Sequence, residues 1–223
     1  REILTDISHD LRTPLSSLQG YIETLALKGD KVTSAQRQAY IDTAFKNCMQ
    51  LNKLIDQIFE LAHLESGQVS LNVERFNLTE LLYDISAKFT LKAQQKNITL
   101  AIVANCDNPI VNSDIAKLER VLSNLIDNAL RHTHNGGKVT LLITDQDSHA
   151  CRISVLDNGS GIKGNELAYI FDTRYRASNA TESQGIHCGF GLAITKKLLE
   201  LLQSDIRVKS KLGEGTEFYF YLR

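Results

Sequence analysis

The chain has 223 residues, of which 43% are hydrophobic and 23% are charged, and its formal net charge is −1. This length and composition can bury a substantial core, in one large domain or in two smaller ones. The near-neutral charge excludes a global basic field that would attract nucleic acid or anionic lipid. Because no apolar run approaches the roughly 20 residues that cross a bilayer and no signal peptide opens the chain, we expect no membrane contact by this segment.

The cysteine positions limit the chemistry further. Cys48, Cys106, Cys151 and Cys188 are far apart in sequence and form no C-x-x-C pair. This spacing indicates neither a disulfide framework nor a zinc site, and it favours reduced thiols in a cytoplasm-like compartment. The sequence begins without Met, already inside an apolar pattern, so we expect a fragment of a longer protein.

The first predicted element is an amphipathic helix that ends near Leu27. Its apolar residues step by three or four positions along one stripe. These residues are Leu4, Ile7, Leu11, Leu15, Leu18, Ile22 and Leu25. His9 lies roughly 160° round the helix from the centre of that stripe, so we expect its imidazole to face solvent, although an ordinary surface histidine fits the same position. Pro14 predicts a kink beside it, which could also be a tolerated kink without a role.

A second long helix is predicted from a cap at Thr33 or Ser34 to about Glu65. Its apolar positions keep the same three-four rhythm. They include Ile41, Phe45, Cys48, Leu51, Leu54, Ile58 and Leu61. Two such helices joined by a short loop form a helical hairpin, and one hairpin can hardly bury two full stripes. We therefore predict that residues 1–66 form a homodimer in which two hairpins make a four-helix bundle.

The pattern changes after Leu71, and residues 72–223 mix helical and strand patterns. The predicted helices cover residues 79–95, a segment capped by Asp114, and residues 191–202. The predicted strands cover residues 98–103, 138–145, 151–156, 206–210 and 216–222. This order predicts an α/β sandwich, with one mixed sheet and helices on one face, in an α+β multidomain chain. The long polar stretch from Phe171 to Gly189 predicts a functional loop such as a lid.

The segment around residues 124–131 carries polar side chains at helical spacing. Asn124 and Asn128 are one turn apart and face the same way, and their amides can ligate Mg²⁺ alongside phosphate oxygens. Arg131, three residues after Asn128, can reach the same phosphates. Taken alone, two solvated asparagines fit this segment equally well.

Three glycine motifs follow. Asp157 ends a predicted strand, where it can accept a hydrogen bond from an exocyclic amine, and Gly159 and Gly161 let the backbone approach a ligand closely. Residues 189–192 open a helix whose glycines and free N–H groups suit a polyphosphate. Residues 213–216 predict a tight turn between strands. Each motif also fits an ordinary turn when taken alone, so their order and spacing carry the argument.

Together these motifs resemble those of the sensor histidine kinases of two-component signalling. The matching segments are the phosphoacceptor box at residues 9–15, the N box at 124–128, the glycine boxes at 157–161, 189–193 and 213–216, and the F box at 170–176. They follow in family order over essentially the whole chain. The resemblance implies a dimerisation and phosphoacceptor hairpin at residues 1–66, followed at residues 72–223 by an ATP-binding domain of the gyrase and histidine-kinase type.

The resemblance also implies roles for particular residues. By it, His9 is the nucleophile that takes the γ-phosphoryl group of ATP, Asp10 orients and deprotonates its imidazole, and Thr13 orients a water that dephosphorylates a response regulator. Asn128 is implied to hold Mg²⁺, and Asp157 to select adenine. The implied nucleotide-binding residues are Asn124, Asn128, Arg131, His132, Asp157, Gly159, Gly161, Ile162, Phe171, Arg176, Gly189, Phe190, Gly191, Leu192 and Thr216. The implied cofactors are ATP and Mg²⁺.

The implied function is ATP-dependent autophosphorylation of His9 and phosphotransfer to an aspartate of a response regulator receiver domain. The implied setting is a cytoplasmic fragment of a parent protein anchored in the bacterial inner membrane, and no nucleic acid is expected as partner. Two departures stand in the lid: Arg174 precedes Tyr175 in the F box, and His187 and Cys188 replace the turn that usually begins with glycine. They motivate the alternative of a dimeric scaffold that binds ATP weakly and mainly dephosphorylates a regulator. A gyrase-like clamp would leave the hairpin without purpose.

Overall fold

The computed structural model describes residues 2–28, 31–106, 109–147, 150–172 and 189–222, without the side chains of residues 2–10, 28, 146 and 147. The helices are α1 (Glu2–Lys28), α2 (Ser34–Glu65), α3 (Leu78–Gln95), α4 (Ile115–His132) and α5 (Phe190–Leu201). The strands are β1 (Glu74–Asn77), β2 (Thr99–Asn105), β3 (Ile110–Ser113), β4 (Lys138–Asp147), β5 (Ala150–Asp157), β6 (Arg207–Lys211) and β7 (Gly215–Leu222). Two long helices therefore precede a region of mixed helices and strands, as the sequence predicts.

Polar side chains define where several helices begin. Thr33 forms a capping box with Gln36 at the start of α2, so each side chain satisfies a backbone N–H that the helix leaves unpaired. Asp114 caps α4 by accepting from Lys117 N over 3.0 Å. The other carboxylate oxygen of Asp114 accepts from Asn72 N over 2.9 Å. The chain that leaves the hairpin is therefore tied to the first turn of α4.

Cross-helix contacts set the register of the α1–α2 hairpin. The Asn47 amide donates to the Ser17 hydroxyl oxygen over 2.9 Å, and the Tyr21 and Tyr40 rings stand 5.6 Å apart. Because later residues of α1 meet earlier residues of α2, the two helices are antiparallel. Extending this register along both helices places residue 9 level with residues 52–55 of α2.

The hairpin leaves large apolar side chains exposed. Ile41, Phe45 and Met49 follow one another at four-residue steps on α2, and Leu15 and Ile22 lie one heptad apart on α1. Each of these side chains is between 44% and 66% exposed. Such rows are typical of helix faces that pack against another helix. They provide a surface for the predicted four-helix bundle, and the dimer itself stays a prediction.

The main sheet has five strands in the order β2-β4-β5-β7-β6. β2 runs parallel to β4, and the other neighbours are antiparallel. The predicted mixed sheet is therefore confirmed. A second, two-stranded antiparallel sheet of β1 and β3 was not predicted, because strands of four residues are too short to show an alternating pattern.

One face of the main sheet is covered by helices, with α4 at the centre. The apolar side of α4 is almost wholly inaccessible to solvent. It consists of Leu118, Val121, Leu122, Leu125, Ile126, Ala129 and Leu130, none more than 2% exposed. These residues share one core with Leu141, Ile153 and Phe218 of the sheet. Burial of this size is the main stabilising contribution to the domain.

The second half of α2 packs against α4 and α5. Leu54 and Leu61 belong to the same buried cluster as the sheet core. The Glu60 carboxylate accepts hydrogen bonds from the Arg120 guanidinium of α4, at 2.9 and 3.2 Å from Nε and 2.5 Å from Nη2. Glu60 lies further along α2 than the level of residue 9. At that level, Lys53 of α2 lies 3.9 Å from the Asp127 carboxylate of α4, so the helix that carries Asn124 and Asn128 approaches the level of the predicted phosphoacceptor.

The predicted helices and strands of the main sheet agree with the structure within a few residues at each end. α1 continues through the buried Pro14 without a break. Residues 66–73 contain no helix or strand, and the division between domains at residues 66–72 stays a prediction. Most of the predicted lid lies outside the described residues. Among the helices described, none has both the length and the hydropathy needed to cross a membrane.

Candidate functional site

The polar face of α4 carries the two asparagines predicted to act together. The Asn124 amide donates to Gly191 O over 3.3 Å and lies 3.4 Å from the Thr195 hydroxyl oxygen. Asn124 therefore joins α4 to the first turn of α5. Asn128 is half-buried on the same face, and its side chain makes no hydrogen bond to the described residues. Asn128 thus offers an amide for a ligand, whereas Asn124 serves partly to position α5.

A charge cluster lies beside these amides. Asp127 binds Lys92 of α3 and Arg131 one turn further along α4, the latter over 2.8 Å. Lys53 of α2 is 3.9 Å from the same carboxylate. Burial opposes the charged form of Asp127, but the bond from Lys92 and the neighbouring cations hold its pKa below the usual range. Arg131, expected to reach phosphates, is engaged with Asp127 here, and its phosphate role stays a prediction.

Asp157 stands at the end of β5, half-buried and paired across the sheet with Val139 and Thr216. Its Oδ1 accepts from Gly159 N over 2.9 Å. Burial raises the pKa of Asp157, although bonds from the backbone of Gly159 and Thr216 act in the opposite direction. A half-buried carboxylate gains from a further hydrogen-bond donor, which is what an exocyclic amine would supply.

The loop after Asp157 is held from two sides. The Asn158 side chain accepts from Lys138 N over 2.7 Å at the start of β4. Ser160 N donates to His132 O over 3.1 Å at the end of α4. The His132 ring is half-buried, and burial, followed by the charges of Arg131 and Lys96, lowers its pKa. The loop is thereby fixed to the helix that carries the two asparagines.

Glycine is required at two positions of this loop. Gly161 has φ +64°, and a Cβ there would collide with Lys211 O. A Cβ at Gly159 would collide with the carbonyl of His132. Backbone segments therefore approach more closely here than any side chain permits. Close packing therefore explains why glycine occupies both positions. The same contacts hold the loop in one conformation beside the candidate site.

Thr216 and Ile162 are connected through Ser210, a residue without a predicted role. Ile162 N donates to the Ser210 hydroxyl oxygen over 2.8 Å. Ser210 and Thr216 hydroxyl oxygens are 2.9 Å apart, and Ser210 also bonds Gly215 O. The turn between β6 and β7 is thus tied to the loop after β5. No sequence signal identified Ser210, because its bond to Ile162 spans 48 residues.

The start of α5 presents a bare helix N-terminus. Gly189 precedes Phe190, which is buried, and no side chain among the described residues caps the helix. A Cβ at Gly191 would point into open space, so packing does not demand glycine there. Leu192 packs partly against the core. As far as the described residues show, the first-turn N–H groups of α5 are open to an anion.

The structure describes the remaining predicted site residues unevenly. Phe171 packs edge-on against Phe218, with ring centroids 6.2 Å apart. Arg176 and the unusual lid residues lie outside the described part of the chain. Residues 9 and 10 lie on α1, but their side chains are outside the description, so the orientation of the His9 imidazole stays a prediction. Thr13, one turn later, is exposed.

Family models match most of the chain. Residues 1–67 match the His Kinase A (phospho-acceptor) domain, and residues 113–223 match the histidine kinase-, DNA gyrase B- and HSP90-like ATPase. The chain belongs to the sensor histidine kinases of two-component systems. Its second region therefore has the nucleotide-binding ATPase fold of that family.

Individual relatives agree with this histidine kinase assignment. The sensor protein GacS of Pseudomonas syringae pv. syringae is 32% identical over 226 residues, which cover 100% of this chain and 25% of the relative. ShkA in complex with AMPPNP has a TM-score of 0.72 at 27% identity, covering 99% of this chain and 45% of that chain. ThkA in complex with the response regulator TrrA has a TM-score of 0.80 at 23% identity, covering 99% and 60%. The chain spans 24% to 38% of the length of its first curated relatives.

Replacement of Gly161 by alanine should damage the kinase's loop after β5. The left-handed φ and the collision with Lys211 O both oppose a side chain, so we expect a loss of about 1–3 kcal/mol in the free energy of unfolding. Urea denaturation measures it, and titration of a fluorescent nucleotide should show weaker binding. Gly164→Ala, whose Cβ would meet nothing within 4 Å, is the matched control. Equal stability of the two variants would contradict the close-packing account.

Replacement of Asp157 by asparagine should raise the free energy of unfolding at pH 7 while it weakens nucleotide binding. Burial raises the pKa of Asp157 in the folded state. Between the unfolded and folded pKa values the native state therefore keeps a proton that the unfolded state loses. The free energy of unfolding falls as pH rises through that window. Asp157→Asn cannot ionise, so its unfolding free energy should decline less across this window and exceed that of the parent at pH 7.

The same Asp157→Asn variant should bind adenine nucleotides about tenfold or more weakly, since it loses a charged hydrogen-bond acceptor. Urea denaturation from pH 4 to pH 7 and nucleotide titration give the two readouts. Asp205→Asn, at an exposed position, is the control for affinity. The same pH dependence of the unfolding free energy in Asp157→Asn and the parent, together with equal nucleotide affinity, would refute both the raised pKa and the binding role of the Asp157 carboxyl.

Proposed function

We propose that this chain phosphorylates itself on His9 with ATP and Mg²⁺, then passes the phosphoryl group to an aspartate of a response regulator. The observation that carries the proposal is the approach of α4 to α2 at the level of residue 9, where Lys53 Nζ lies 3.9 Å from the Asp127 carboxylate. This approach supports a transfer between the helix with the two site asparagines and the segment with the predicted nucleophile. Phosphoryl transfer depends mainly on such positioning and on charge neutralisation.

The polar groups of the site fit an adenine nucleotide. Asp157 offers a carboxylate at a glycine-lined loop, and α5 offers first-turn N–H groups, which no described side chain caps, for phosphate oxygens. Asn128 has an amide oxygen without a described partner, and an oxygen donor of this kind suits Mg²⁺. Bound Mg²⁺ would neutralise phosphate charge. The fit comes from groups that the fold positions and that, within the described part of the chain, can accept a further partner.

In the proposed reaction, residues of α1 accept both the phosphoryl group and the proton that is released. The unprotonated ring nitrogen of His9 attacks the γ-phosphorus, a nitrogen–phosphorus bond forms, and the bond to the ADP oxygen breaks. Asp10 takes the proton from the other ring nitrogen as positive charge develops on the imidazole. Thr13, exposed on the same face one turn later, is assigned the orientation of water when the phosphorylated regulator is hydrolysed.

The proposed assembly is a homodimer, with the receiver domain of a response regulator as second partner. The exposed apolar rows on α1 and α2 support pairing of two hairpins, because burying them removes apolar area from water. Anchoring of a longer parent protein in the bacterial inner membrane is part of the proposal on family resemblance. The alternative of a phosphatase scaffold was motivated by Arg174, His187 and Cys188, which lie outside the described residues.

Labelling with [γ-³²P]ATP and Mg²⁺ tests the phosphoacceptor. The parent should acquire acid-labile, base-stable phosphate at one position, because phosphohistidine hydrolyses in acid. His9→Gln should lose the label completely, whereas His63→Gln, exposed in the last turn of α2, should keep it. Peptide mapping identifies the site. Label that persists in His9→Gln, or a parent that stays unlabelled while dephosphorylating a regulator, would refute the kinase proposal.

Replacement of Asn128 by aspartate tests the metal and phosphate site. The added carboxylate would repel the triphosphate and alter the cation ligand, so we expect initial labelling rates to fall by at least about tenfold. Gln94→Glu places the same extra charge on exposed α3 and should leave the rate unchanged. Light scattering should show the same oligomer for all three proteins. Equal Mg²⁺-dependent rates in parent and Asn128→Asp would exclude the assigned role.

A further inference from the structure

Two thiols and one carboxylate meet away from the nucleotide site. The Sγ atoms of Cys106 and Cys151 and a carboxylate oxygen of Asp145 all lie within 4.8 Å of one another. We call these three residues the thiol cluster. It lies at the end of the sheet opposite Asp157, so it takes no part in the site described above. The proposed kinase chemistry uses none of its three side chains.

Sheet pairing brings these residues together. β4 lies between β2 and β5, and Asp145 pairs directly with Cys151. The β2–β4 pairing ends with Asn105 opposite Thr144, and Cys106 is the next residue. Asp145 therefore has one cysteine on each side. The register of β4 with its two neighbours therefore places Cys151 directly beside Asp145, and Cys106 in the bend that follows β2.

The backbone of β4 is irregular beside the cluster. Its pairing with β5 shifts between Asp145 and Asp147, which is the signature of a β-bulge, and bulges redirect side chains near functional sites. Asp145 follows the buried Ile143 by two residues, so it points to the core side of the sheet. Asp145 nevertheless remains exposed, and solvent can reach the cluster.

The two thiols are half-buried against the core. Burial is the largest cause that raises the pKa of Cys106 to about 12, and the neighbouring Cys151 and Asp145 raise it further. Burial likewise raises the pKa of Cys151. In the metal-free protein both thiols therefore carry their protons and hydrogen-bond within the cluster. Two adjacent sulfurs and an accessible carboxylate form a preassembled set of soft and hard ligands.

We propose that Cys106, Cys151 and Asp145 bind a thiophilic divalent cation of the Zn²⁺ type, with solvent as the fourth ligand. Cysteine and aspartate are among the ligands that Zn²⁺ accepts in tetrahedral sites. Two sulfurs bound to one such ion lie about 3.8 Å apart, so small side-chain rotations close the site. Each thiol releases one proton to solvent as its sulfur–metal bond forms, and the carboxylate donates a lone pair without oxidation or reduction.

Spectroscopy with Co²⁺ as probe tests the ligand set in the full chain. Chelator-stripped protein under a phosphine reductant should bind one equivalent of Co²⁺, with a thiolate-to-cobalt charge-transfer band that Zn²⁺ abolishes by displacement. Cys48→Ser should retain the band, since Cys48 lies on α2 and outside the cluster. The Cys106→Ser/Cys151→Ser double variant should lose it. A parent without the band, or a band that survives in the double variant, would overturn the proposal.

A second variant keeps both thiols in place. Asp145→Asn changes an exposed side chain and should weaken Co²⁺ binding by at least about tenfold, a loss typical even of outer-shell partners. Equal affinity of Asp145→Asn and the parent would remove the carboxylate from the proposed site. Far-ultraviolet circular dichroism and nucleotide affinity should match the parent in every variant, because the cluster is remote from Asp157. Stabilisation by Zn²⁺ should appear as a higher Tm in the parent and not in the double variant.

Discussion

The packing of α4 on the central strands is the constraint on which the rest of the structure depends. Seven apolar residues of that helix are buried in the core, so only the opposite face of the helix can carry polar side chains that meet a ligand. That face holds Asn124 and Asn128, and its ends contact other parts of the site. Asn124 binds the start of α5, and the carbonyl of His132 holds the loop after β5. One buried helix thus determines where three separate motifs meet.

Much of this arrangement could be predicted from the sequence, because it depends on periodic patterns and on local turns. The long helices followed from three-four spacing, and the cap at Asp114 from residue type. The motifs of the nucleotide site were identified because their order matched a known family. In contrast, the β1–β3 sheet has strands of only four residues, and Ser210 binds a residue 48 positions away. Neither leaves a local pattern.

Local contacts and strand order both add to what sequence spacing predicts. Arg131 follows Asn128 by three residues, which predicts a phosphate contact, and in the structure it pairs with Asp127 one full turn before it. Its phosphate role stays a prediction. The wide spacing of the cysteines in the sequence indicates neither a disulfide framework nor a zinc site. Strand register brings Cys106 and Cys151 to either side of Asp145, which the spacing alone does not show. Only knowledge of strand order could have revealed that neighbourhood.

The bond between Asn72 and Asp114 has a mechanical consequence. The carboxylate that starts α4 also holds the chain just after α2, and Arg120 holds Glu60 one and a half turns further along α4. α4 is therefore joined at two points to the chain that continues from the hairpin, once through α2 itself and once through the segment after it. A displacement of α2 would pull on the start and on the second turn of the asparagine-bearing helix together.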